Sequence, residues 1–366
     1  MGLTKTKKHE KILFLLLALF TLTVSATPLP NDTATEQLPD SVYVVAYFCK
    51  NDTLEYIYSN EQIKIKGTDT TTTIITEGKF RLVVLDSTAT GYRIQYDQLE
   101  IGSPLTDKLK ELANDKNNLI ESISSLINNT SINNNPIIFT TNELGEIQHI
   151  ENWQEIRNQL LHITESLITN IYNSIPQANE YINKDSFIDL FKQRYDSEEL
   201  FIENFEGFPL LFTFHGSAFK AGQSTVDDQG NEQEYPSTVQ LYANNLDPEE
   251  EGRDDFSPDY VVSLVTSTSM QGDEVKELLG SIMGLILNNN SKTDELKDSL
   301  NDTKDFDNAT LTITDGINAE YWINGWPSEI VHFNNTEVTA PGQHSQSRIK
   351  AKSLECVYRS CFNFMR

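Results

Sequence analysis

The chain has 366 residues, with 54 Asp and Glu against 28 Lys and Arg and a formal net charge of −26. Its 38% hydrophobic and 10% aromatic content exclude a disordered or fibrous protein and allow one large core or two modest ones. Charge of this sign repels phosphate backbones and anionic lipid surfaces, and no Lys/Arg cluster stands out beyond the first 26 residues, which disfavours nucleic acid and direct membrane docking.

Residues 1–26 read as a secretory signal peptide. Lys5, Lys7, Lys8 and Lys11 precede an apolar run from Ile12 to Val24, and Val24-Ser25-Ala26 supplies the small-x-small pattern of a cleavage site. The run is short of the roughly 20 apolar residues that span a bilayer. No cysteine sits at the cut, the first being Cys49, which disfavours lipid-anchored export. The expectation is export to a periplasmic or extracellular compartment, cleavage near Ala26 and a soluble product with no membrane span. Residues 27–40 carry three prolines and read as a flexible leader.

An N-terminal α+β half is expected over 41–206. Val42–Phe48, Leu54–Lys66, Thr71–Glu77, Lys79–Asp86 and Tyr92–Ile101 are rich in β-branched and aromatic residues, with turn signals at Gly78 and Gly91, and predict an antiparallel meander. Ser103 and Pro104 then open an amphipathic helix to about Asn128, striped by Leu105, Leu109, Leu112, Leu119, Ile123 and Leu126. A hairpin follows, from Ile137-Ile138-Phe139 through Asn142-Glu143-Leu144-Gly145 to Ile147–Ile150. Asn152 reads as the cap of a helix striped by Trp153, Ile156, Leu160, Ile163, Leu167 and Ile171, with Glu155 at the capping-box position. Another helix starts at Ser186, and Ser197 restarts it toward Phe205.

The C-terminal half, 207–366, returns to strands at Leu210–Phe214, Thr238–Tyr242 and Tyr260–Thr266, separated by acidic loops at Val226–Glu234 and Asp247–Asp255. A helix is expected from Asp273 to Leu287, then strands at Ala309–Thr314, Ile317–Ile323, Ile330–Phe333 and Arg348–Leu354. Strands, a helix, an Asn-rich break and a hairpin thus describe both 42–150 and 208–333, the pattern a duplicated unit would leave. The fold class expected is α+β, with curved antiparallel sheet and amphipathic helices packed on one face.

Chemical motifs are sparse. Ser217-Ala218-Phe219-Lys220 has Ser-x-x-Lys spacing, but it follows a predicted strand and no Lys-Thr-Gly triad accompanies it. Gly280-Ser281-Ile282-Met283-Gly284 misses the nucleophile elbow by one position. His162 with Glu165 is the only close His/carboxylate pair on a predicted helix, and the acidic loops miss the calcium-loop spacing. No catalytic residue, metal ligand or cofactor is therefore assigned. Asn31, Asn51, Asn128, Asn129, Asn289, Asn301, Asn308 and Asn334 open Asn-x-Ser/Thr triplets, which an Asn- and Thr-rich chain generates by chance. Tyr321, Trp322 and Trp326 flank a tight turn and are the candidate ligand-binding aromatics, with core packing as the plainer reading. Cys356 and Cys361 are the nearest cysteine pair and the candidate disulfide.

Three strings, LEYIYSNEQ from Leu54, TNELGEIQHIENWQEI from Thr141 and YWINGWPSEI from Tyr321, resemble a pattern in uncharacterised exported proteins of the Gram-negative cell envelope. In outline the chain is also similar to the lipoprotein-carrier type of periplasmic protein. That resemblance implies an open, strongly curved antiparallel sheet with helices against its concave face, and it transfers no ligand residue. Together these features favour a non-enzymatic protein that binds a lipid, another apolar or amphipathic molecule, or an envelope protein partner. A hydrolase with carboxylates on separated strands, and an envelope assembly or surface-structure component, are the alternatives.

Overall fold

A computed structural model describes residues 41–102, 136–174, 183–193, 195–204, 207–228, 236–246, 256–272, 274–276, 309–339 and 345–361. The predicted signal peptide and leader, the helix from Ser103 to Asn128, most of the helix from Asp273 and the acidic loop from Asp247 lie outside these residues. The described residues belong to one compact unit, Gln37–Arg366.

Its strands are β1 (Ser41–Tyr43), β2 (Thr53–Lys66), β3 (Asp69–Thr88), β4 (Gly91–Gly102), β5 (Ile137–Thr141), β6 (Ile147–Ile150), β7 (Ala218–Lys220), β8 (Gly222–Asp228), β9 (Ser237–Asn245), β10 (Tyr260–Gln271), β11 (Thr310–Tyr321), β12 (Pro327–Thr339) and β13 (Gln346–Ser360). The helices are α1 (Trp153–Ser174), α2 (Lys184–Gln193) and α3 (Glu198–Asn204), followed by a 3-10 turn at Phe208–Phe212.

Eleven strands form one antiparallel sheet in the order β6-β5-β4-β3-β2-β13-β12-β11-β10-β9-β8, and β1 pairs separately with β7. Sequence neighbours pair throughout, and the first long strand pairs with the last. This is the cyclic order of an up-and-down barrel left unclosed between β6 and β8. The 206/207 boundary expected between two halves therefore runs through a single sheet, which β2 and β13 join along nearly their whole length.

Gly78, a predicted turn, lies inside β3, and Gly316, in the gap between two expected strands, lies inside β11; both glycines make room for a ring from the adjacent strand. A Cβ on Gly78 would come within 2.7 Å of the Tyr58 ring, and one on Gly316 within 2.4 Å of the Phe333 ring. Conversely, the strand expected at Val42–Phe48 pairs only to Tyr43. Beyond it the segment crosses the ends of other elements: Ala46 N–H bonds the Leu144 carbonyl and Tyr47 N–H the Asn324 carbonyl, so no single ladder forms. The strand expected at Leu210–Phe214 is a 3-10 turn, consistent with Pro209 in its first turn, which has no N–H to give a ladder.

Helix starts follow side-chain supply. Asn152 spends its side chain on β5, accepting from Ile138 N–H at 3.2 Å and donating to the Pro136 carbonyl, instead of capping α1. Asn183 caps α2 through Asp185 and Ser186 N–H, and Ser197 Oγ accepts Leu200 N–H at the start of α3.

The main core collects Val42, Val44, Ala46 and Phe48 from the N-terminal segment, Tyr56, Phe80, Tyr96 and Phe139 from the sheet, Ile156 and Phe201 from helices, and Phe208 and Phe212 from the 3-10 turn. A smaller cluster of Met270, Val275 and Leu311 sits at the opposite ends of β10 and β11.

Candidate amphipathic binding face

The turn aromatics singled out in the sequence are core residues. Tyr321 and Trp326 are fully buried and Trp322 is 3% exposed. Trp326 stacks on Phe48 with ring centroids 3.7 Å apart, and its Nε1–H donates to the buried Asp52 carboxylate at 3.2 Å. Asp52 also accepts Cys49 N–H at 2.9 Å. Tyr321 stacks on Tyr260 at 5.2 Å. Trp322 donates to the Phe256 carbonyl, and the Arg359 guanidinium lies 4.3 Å from its ring centre. Reaching Tyr321 or Trp326 would require opening the core, so they form no exposed stacking platform.

Cys49, Cys356 and Cys361 are free thiols. The candidate pair Cys356 and Cys361 is therefore not bonded, Cys361 lying one residue past the end of β13. Burial pushes the thiol pKa values of Cys356 and Cys361 up to about 12.

His215 lies between the two hairpin turns. Its Nε2 faces the Gly325 carbonyl at 3.0 Å, which fixes the proton there, and burial lowers its pKa to about 4. Its Nδ1 and the Tyr321 hydroxyl are buried polar atoms without a hydrogen-bond partner among the described residues.

A different surface emerges from the sheet register. Residues directly opposite across antiparallel strands share a face. The rung Tyr58–Leu354–Ile330–Ala319–Val262–Ala243, from β2 to β9, is apolar and defines the core face. Two residues further along on that face the rung reads Asn60–Lys352–His332–Ile317–Leu264–Leu241, then Gln62–Lys350–Asn334–Asp315–Thr266–Val239, then Lys64–Arg348–Thr336–Ile313–Thr268–Ser237. Beyond these, Val338, Leu311 and Met270 enter the smaller apolar cluster.

These three rungs split lengthwise. On β2 and β13 they carry Lys64, Arg348, Lys350 and Lys352, while on β11, β10 and β9 they carry Ile317, Leu264, Leu241, Ile313 and Val239. Most of the side chains are half-buried, and Lys64 is exposed. Gln62, with its amide oriented to satisfy both groups, accepts from Arg348 Nε at 2.8 Å. Burial lowers the Arg348 pKa. His332 Nε2 bonds Asp315 Oδ1 at 3.0 Å, and Asn334 Nδ2 reaches the same oxygen at 3.4 Å. Neighbouring like charges about 7 Å apart repel by roughly 0.6–2.4 kcal/mol across effective dielectrics from water to a protein surface.

The expectation that no Lys/Arg cluster exists outside the signal is thereby corrected. Its sequence signals were alternations, Lys64-Ile65-Lys66 and Arg348-Ile349-Lys350-Ala351-Lys352, in strands that meet only through the β2–β13 pairing.

Carboxylates meet on the other face, where Glu320, Glu329 and Glu355 occupy successive strands in one row. Burial and the Glu329 charge raise the Glu320 pKa. Ser217 precedes β7 and Lys220 is its last residue, paired to Ser41 in the ladder. Among the described residues no group of three His, Cys, Asp or Glu could hold a metal ion, and no helix is long and apolar enough to cross a membrane.

No known protein family matches the chain, and no curated protein matches it. Among solved structures, one titled "Lipid-protein interactions in lipovitellin" aligns over 87% of this chain at 8% identity and a TM-score of 0.30. The chain spans 26% of that one. At this score the likeness carries no inference about fold or ligand.

Proposed function

We propose that the protein is exported and non-enzymatic, and that it binds an apolar or amphipathic ligand on the core face of its open sheet. The observation that carries this reading is the split of that face. One hydrophobic core fills the end of the sheet nearest the Trp322–Trp326 turn and ends at Ile317, while beside it the next three rungs keep half-buried apolar side chains, Leu264, Leu241, Val239 and Ile313. Export rests on the signal-like residues 1–26, and membership of an envelope protein family on the three strings already given. Helices packed against one face of a curved sheet complete the proposed architecture, supported by Ile156 and Phe201 joining the sheet core.

The reading extends to a duplicated unit. β2-β3-β4 precede the β5-β6 hairpin as β8-β9-β10 precede the β11-β12 hairpin, with the sheet order advancing in the same sense in both halves. The second hairpin strands share a Glu-Ile-x-His pattern, in Glu146-Ile147-Gln148-His149-Ile150 across the start of β6 and in Glu329-Ile330-Val331-His332-Phe333 within β12. Asn142 and Asn324 each turn a side-chain oxygen onto N–H groups of their own turn. Failure of the two hairpins to superpose in an experimental structure would remove this extension.

Native mass spectrometry of the chain purified without detergent tests binding. The expected result is an added mass that organic extraction removes, together with saturable rebinding of oleate or oleyl alcohol. A ligand-free mass and no binding of either probe contradict the proposal.

A further inference from the structure

We propose that the edge strand β8 pairs with β8 of a second copy, antiparallel about a two-fold axis at Thr225, joining two open sheets into one. The two edges of the sheet are built differently. β6 has four residues, and α3 stands beside it: Glu198 accepts the Ile150 N–H and bonds His149 Nδ1. β8 has seven residues, Gly222–Asp228, contains neither proline nor lysine, and pairs with β9 without a register shift. Its residues from Gly222 to Asp227 are exposed, so both faces of the strand are open, and a Cβ on Gly222 would meet no atom within 4 Å. Alternate residues of an edge strand turn backbone N–H and C=O groups outward, a template for another strand.

The sequence of the strand fits a second copy. Pairing about Thr225 sets Ser224 opposite the partner's Val226 and Gln223 opposite the partner's Asp227, with Thr225 facing its own counterpart, a favourable cross-strand pair. The two Asp227 carboxylates then lie roughly 14 Å apart at ~3.4 Å per residue, beyond the ~8 Å Debye length of physiological salt. An axis nearer Asp227 would bring them together, and one nearer Gly222 would shorten the ladder. On the core face Val226, 59% exposed, lies opposite Val239, and Ser224 lies opposite Leu241. The half-buried strip of Leu264, Leu241 and Val239 therefore runs out to the free edge, and a second copy continues it through the partner's Val226. With β6 capped by Glu198, head-to-tail growth through β6 and β8 is blocked, and the assembly closes as a two-fold dimer.

Sedimentation equilibrium of the purified chain, from about 1 to about 200 µM, reads this association, which a single strand pair makes weak. The mass should rise from one copy toward two, and because each copy carries a net charge of −26, raising salt to about 0.5 M should favour the dimer. Ser224→Glu/Val226→Glu, at two exposed positions, sets like charges opposite each other in this register and should hold the chain at one copy without moving its unfolding midpoint. Ser224→Lys/Val226→Glu sets opposite charges across the same rungs and should restore the dimer. A one-copy mass at every concentration would overturn the inference, as would a dimer that the first variant leaves intact. So would a one-copy chain whose β8 amides gain hydrogen-exchange protection from an alternating lysine–valine peptide, a result that gives the edge to a basic partner strand.

Discussion

Neutral His215 sits within an aromatic core, with Phe48, Phe212 and Tyr321 rings around it and its Nε2–H directed at the Gly325 carbonyl. Below pH 6.5 an unfolded chain protonates this histidine, whereas the folded chain resists until pH about 4. The unfolded state therefore binds more protons in that window, and stability falls as the solution is acidified from 6.5 toward 4. The shift corresponds to on the order of 3 kcal/mol, fully present above pH 6.5. His215→Asn should flatten this part of the stability–pH curve whatever its effect at pH 7. Denaturant melts at pH 4.5 and 7 measure the difference, and an unchanged slope in the variant would contradict the assignment. The buried aromatics of the turn were legible as residues of interest, but their role depended on Phe48 and Asp52, more than 250 positions away in the chain, which no local pattern shows.

At the level of elements, strands were read well where alternation was clear and misread where glycine has a packing role. Gly78 carries a turn signal and Gly316 falls between two expected strands, yet each is a strand residue covered by a neighbour's ring, and only the β2–β3 and β11–β12 pairings explain why. Gly316→Ala should therefore destabilise the protein by about 1–3 kcal/mol through overpacking against Phe333. Adding Phe333→Leu should recover part of that loss, read from the midpoint of chemical unfolding. Additive losses would show that Phe333 is not the obstacle. The same dependence on pairing hid the cationic lane: period-two lysines in each strand were visible, but the register that sets Lys64 opposite Arg348 was not.

For the whole molecule, sheet order explains why the two expected halves form one unit. The chain leaves β2 toward β6, resumes at β8 and returns through β13 to β2, so the two halves share a long ladder and a common core. Antiparallel strand content and the change from strands to helices were readable from residue periodicity. The clamp between β2 and β13 was not, because it joins segments almost 300 residues apart. That clamp places the cationic lane beside the apolar one. A photoreactive fatty acid carrying a diazirine near its chain terminus tests this claim directly. Adducts at Leu241, Leu264 or Ile313, lost on competition with oleate, are the predicted result. Adducts confined to the opposite face, at Ile63, Phe333 or Ile349, would contradict the account.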